Sequence, residues 1–110
     1  MHAEALIRAK KYAAAKTVLQ SYLATASADQ DALVLLGVAD EYLNDSAGGV
    51  AALDAAGKIP DRYSVVAAKA HANTGDRANA LPYVQRAKAH AGTDATLNAD
   101  IDTALATLSK

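Results

Sequence analysis

The stretch Gly75–Ala87, "GDRANALPYVQRA", decides how this chain is read. It opens on a helix breaker, places Asp76 to cap a helix, sets small residues at Ala80 and Ala87, and holds Leu81 and Val84 among polar neighbours. Written once, it describes an alanine-rich helix. Recurring at a fixed period, it describes an array of helical hairpins that share one core.

The phrase recurs. "KKYAAAKTVLQSYL" (Lys10–Leu23), "NDSAGGVAALDAAG" (Asn44–Gly57) and "GDRANALPYVQRAK" (Gly75–Lys88) align at offsets of 34 and then 31 residues. In each, a break is followed by a small residue (Ala15, Gly49, Ala80), then an apolar one (Leu19, Leu53, Val84), then Tyr22, Ala56 or Ala87. The helix before each break carries a small residue of its own: Ala3, Gly37, Ala68. Small residues at fixed intervals are what two helices need at their closest approach.

The surrounding punctuation sets out seven helices. The first is expected over 3–10 and the second from Tyr12 to Thr25. The third follows a cap at Ser27 (a capping box with Gln30) or at Asp29, and runs to Asn44. A fourth, capped by Asp45 or Ser46, stops at Gly57. Pro60 suits the first turn of a fifth, which ends before Gly75. Asp76 caps a sixth reaching His90, and Thr93 or Asp94 caps a seventh with Leu97, Ile101, Ala104, Leu105 and Leu108 on one face. Pro82 falls inside the sixth and predicts a kink or a late start.

Composition agrees with an all-α chain. About a quarter of the 110 residues are alanine, the strongest helix former, and Trp, Phe and Cys are absent. Cysteine chemistry is thereby excluded. A net charge of −1 without a clustered basic face argues against nucleic acid as partner. "RAKK" (Arg8–Lys11) reads as a solvated helix face, with Glu4 one turn before Arg8. No apolar run reaches bilayer-spanning length, so no membrane insertion is expected. The first residues fall directly in helical patterning, as in a piece of a longer chain. The Ala- and Asp-rich, Glu-poor composition has a bacterial cast, with cytoplasm and periplasm both open.

No catalytic, cofactor or metal constellation is expected. His2, His71 and His90 lie far apart, and His71 reads as a packed structural histidine. Most of the ten aspartates stand at helix starts, where they cap and oppose the helix dipole. "SAGG" lacks the Lys and Ser/Thr of a phosphate loop.

The repeat resembles the tetratricopeptide repeat, a 34-residue helix–turn–helix family. The residues carrying the resemblance are "LLG" (Leu35–Gly37), Ala15, Leu19, Leu53, Ala80, Ala87, "GDRANAL" (Gly75–Leu81) and Pro60. Tryptophan is missing near Leu33 and Ser64, and Asp40 and His71 stand where the family usually has tyrosine. The resemblance implies an antiparallel helix-hairpin solenoid in one domain: a truncated first repeat (1–26), two full repeats (27–59 and 60–91) and a capping helix (92–110). It also implies a protein-binding, non-enzymatic role, with a partner helix or extended peptide held across the leading helix of each repeat. The residues so implicated are Ile7 and Arg8, with Glu4, from the first repeat. The second contributes Asp31, Val34, Val38 and Glu41, and the third Arg62, Val65, Lys69, Ala72 and Asn73. Three valines would form an apolar centre between charged margins. The family's carboxylate clamp is not expected, since Glu4, Leu35 and Val66 occupy its Asn, Asn and Arg places. A homo-oligomer through the edge at Leu6, Ile7 and Tyr12 is the second expectation, and a docking segment of a larger enzyme or of an envelope or secretion assembly is the third.

Overall fold

A computed structural model describes residues 2–26 and 29–108. Among these the chain forms seven α-helices and one 3-10 turn, with no strand. The helices are α1 (His2–Arg8), α2 (Tyr12–Leu23), α3 (Gln30–Tyr42), α4 (Ser46–Ala56), α5 (Ser64–Asn73), α6 (Arg77–Ala91) and α7 (Ala95–Leu108); the 3-10 turn, Asp61–Tyr63, leads into α5. The chain divides into two compact units, Met1–Lys58 and Ile59–Lys110. The division lies beside the expected boundary between second and third repeats.

Three of the joints are built alike. At α1–α2, α3–α4 and α5–α6 the chain passes through a left-handed residue: Lys10 (φ 61°), Asn44 (φ 65°) and Gly75 (φ 80°). The amide of that residue donates to the carbonyl three back, at 3.0 Å in all three (Lys10 to Ile7, Asn44 to Glu41, Gly75 to Ala72). The next amide donates to the carbonyl five back, at 2.8 Å in all three (Lys11 to Leu6, Asp45 to Asp40, Asp76 to His71). This pair of bonds is the Schellman closure, which satisfies the last carbonyls of one helix while the same residue caps the next. Lys11 has no side-chain acceptor to offer, but Asp45 accepts from the Gly48 amide at 2.9 Å and Asp76 from the Asn79 amide at 3.2 Å.

In the first unit, α1 packs on α2, α2 on α3, and α3 on α4. The α3–α4 crossing is glycine on glycine. A Cβ at Gly37 would stand 2.6 Å from Leu53 Cγ and 3.1 Å from the Gly49 carbonyl oxygen. Between α2 and α3, Asp29 is the cap: its carboxylate accepts from the Ala32 amide (3.0 Å) and from the Tyr22 hydroxyl (2.7 Å). The alternative cap, Ser27, lies outside the described residues. Gln30 donates to the Ala56 carbonyl at 2.7 Å and so closes the end of α4 from the start of α3.

In the second unit, α5 packs on α6 and α7, and α6 packs on α7. Ile101 and Ala104 bury the inner face of α7, Lys69 of α5 pairs with Asp100 at 3.9 Å, and Arg77 donates to the Leu108 carbonyl at 3.0 Å. Arg86 of α6 clamps the turn before α5, donating to Asp61 (2.8 Å) and to the Ile59 carbonyl while lying over the Tyr83 ring. Asp94 caps α7 through the Leu97 amide at 3.0 Å.

Two expectations are corrected. The first helix ends at Arg8, so Lys10 and Lys11 lie in a turn and not on a helix face. Pro82 does not delay the start of α6, which runs from Arg77 to Ala91 with the proline inside it. Pro82 is exposed, and having no N–H it cannot donate to the Ala78 carbonyl.

Candidate interaction surface

Each unit presents the leading helices on which a partner was expected. In the first, Ile7 is half-buried and Arg8 is exposed, its guanidinium 4.0 Å from Glu4 one turn earlier. Asp31 is exposed in the first turn of α3, where its charge opposes the helix dipole. Val34 and Val38 are buried, with exposures of 2% and 1%. Glu41 is also buried, and its carboxylate accepts a 2.7 Å hydrogen bond from the Ser46 hydroxyl across the α3–α4 joint.

In the second unit Arg62 is exposed, its guanidinium 4.9 Å from the centre of the Tyr63 ring. Val65 and Ala72 are buried, Lys69 is half-buried beside Asp100, and Asn73 is exposed at the end of α5. The three valines expected to form an apolar centre, Val34, Val38 and Val65, are therefore core, and so is Ala72. Buried residues make up eight of the thirteen in α3 and eight of the ten in α5, so these helices are covered on more than one face. Of the residues expected to meet a partner, the exposed ones are polar: Arg8, Asp31, Arg62 and Asn73.

Polar chemistry gathers at the joints. In α3–α4 the turn brings Asp40 and Asp45 together, and Lys16 from α2 lies 2.8 Å from Asp40 Oδ1 and 4.0 Å from Asp45 Oδ2. Asp40 is buried, and its hydrogen bond and charge hold the Lys16 ammonium protonated above the usual lysine range. In α5–α6 the equivalent pair is His71 and Asp76, with Nδ1 3.4 Å from Oδ2 and the buried imidazole stacked on Tyr83. Asn79, through its side chain and its amide, and then His71 keep the Asp76 carboxyl below the usual range.

These pairs occupy the two positions that carry tyrosine in the resembled repeat (Asp40, His71) and the cap that follows each. Setting 40 and 45 over 71 and 76 exposes the correspondence, which single-residue reading missed. Outside the joint, Tyr12 stacks on Tyr42 with ring centres 4.5 Å apart. Among the described residues no group of three His, Cys, Asp or Glu side chains is placed to hold a metal ion, and no helix is long and apolar enough to cross a membrane.

No protein-family model, no curated protein and no solved structure matches the chain.

Proposed function

We propose that this chain is a protein-interaction module of tetratricopeptide type, holding a helix or extended segment of another protein on its leading helices without chemistry of its own. The observation that carries the reading is the triple recurrence of one helix–turn–helix joint, with matching hydrogen bonds and a left-handed residue at the same place. In repeat families of stacked helical hairpins the leading helices line an extended surface that suits elongated partners. The accessible polar side chains Arg8, Asp31, Arg62 and Asn73 make recognition electrostatic and hydrogen-bonded in place of an apolar floor.

Selection of displayed random peptides against the chain tests this. Enriched peptides are expected, and their binding is expected to fall at least tenfold in an Asp31→Lys, Arg62→Glu double variant that keeps its helicity. Failure to enrich any peptide, or equal binding by the variant, counts against the reading. Self-association through half-buried Leu6, Ile7 and Tyr12 is the competing reading, and light scattering over a wide concentration range separates the two. A mass that stays near 11.3 kDa favours a foreign partner; a concentration-dependent ladder favours the second copy.

A further inference from the structure

The α1–α2 joint departs from its two counterparts at one point. Where they place Asn44 and Gly75 in the left-handed conformation, it places Lys10. Glycine and asparagine accept that conformation readily, whereas a lysine Cβ crowds the following carbonyl oxygen. Strain retained at a surface turn is a pointer to use.

Lys10 has company. Arg8 ends α1, Lys11 is the N-cap of α2, and both are exposed, so three cations fall within four residues at one corner of the first unit. Among the described residues the carboxylate paired with this set is Glu4, at 4.0 Å from Arg8. Tyr12 follows immediately, stacked on Tyr42, which is followed by Leu43. Tyr42 and Leu43 are two of the three large apolar side chains exposed among the described residues; the third, Tyr22, has its hydroxyl on Asp29. Cations and apolar surface thus adjoin at the chain's most basic corner.

We propose that this corner docks an acidic segment of a partner protein, with carboxylates on Arg8, Lys10 and Lys11 and an apolar side chain against Tyr42 and Leu43. The charge pattern favours a short peptide over a polyanion. Residues 1–58 carry seven acidic side chains (Glu4, Asp29, Asp31, Asp40, Glu41, Asp45, Asp54) against five basic ones (Arg8, Lys10, Lys11, Lys16, Lys58). A nucleic acid gains affinity with each phosphate neutralised and would meet like charge beyond the corner, whereas a short peptide meets only the corner. The inference goes beyond the leading-helix reading, which shares only Arg8 with it.

The test is a titration of the isotope-labelled chain with a synthetic peptide in which glutamates flank a tryptophan and a leucine, at physiological ionic strength, followed by NMR. Saturable shifts are expected at Arg8, Lys10, Lys11, Tyr12, Tyr42 and Leu43. Lys10→Gly is expected to weaken binding severalfold while raising the melting temperature, because it removes the charge and the strain together. Lys11→Glu is expected to weaken binding without loss of helicity, and Lys88→Glu, at an exposed lysine of α6, to leave it unchanged. The proposal is overturned by the absence of saturable shifts at the corner, or by undiminished affinity in Lys10→Gly and Lys11→Glu. It is equally overturned if a single-stranded DNA oligonucleotide or phosphatidylserine vesicles bind the same residues more tightly than the peptide.

Discussion

At Gly37 the space for a side chain is already taken: a Cβ would stand 2.6 Å from Leu53 Cγ, and Leu53 is itself buried. Gly37→Ala therefore overpacks the α3–α4 crossing. The loss, less the better helix propensity of alanine, comes to about 1–2 kcal/mol, readable in a denaturant melt. Ala80, fully buried in α6, leads to the same expectation, with Ala80→Leu costing about 1–3 kcal/mol. Val38→Asp places a carboxylate at a site with 1% exposure, so loss of cooperative unfolding is expected, where a groove position would keep its helicity. At the surface, Asp61 is held below the usual carboxylate range by its hydrogen bond to Arg86 and by the charge of Arg86. A group depressed in the folded state stabilises it above the unfolded value, near ~3.9, and ceases to do so as pH falls through the folded value. The stability difference between wild type and Asp61→Asn is thus expected to stay level from neutral pH down to about 4 and to shrink below it.

At the scale of elements, the helices were legible because their signals are local. Asp29, Asp45, Asp76 and Asp94 cap the helices they precede, and Gly57, Gly75 and Gly92 have positive φ at the ends they mark. The small residues Ala3, Ala15, Gly37, Gly49, Ala68 and Ala80 are all buried, as packing positions require. The face left to a partner was not legible. A valine at helical spacing looks the same whether it lines a groove or a core, and nothing local to Val34 or Val65 tells how many neighbours cover its helix. Nor did the sequence distinguish Lys10 on a helix from Lys10 in a left-handed turn, since that depends on where α1 stops. Pro82 offers an experiment at this scale. It lies past the first turn of α6, so Pro82→Ala restores a backbone hydrogen bond and is expected to stabilise the chain by about 1–3 kcal/mol, seen as a higher melting temperature.

At the scale of the molecule, the second unit depends on its last helix. α7 covers both α5 and α6 and is tied to them by Lys69–Asp100 and by Arg77 at the Leu108 carbonyl. Truncation after Gly92 uncovers these faces, and hydrogen exchange is expected to show lost protection throughout α5 and α6, well beyond the loss of fourteen helical residues. Alanine sets a second property of the whole. Of the twenty-four buried apolar side chains among the described residues, fourteen are alanines. A methyl carries little hydrocarbon, so unfolding wets less apolar area per residue than in a core of leucine and phenylalanine. The heat-capacity increment should then fall below the customary range of about 12–15 cal/mol/K per residue. By calorimetry the curve of free energy against temperature would be broad and shallow, making this a chain whose stability hardly changes between a cold day and a warm one.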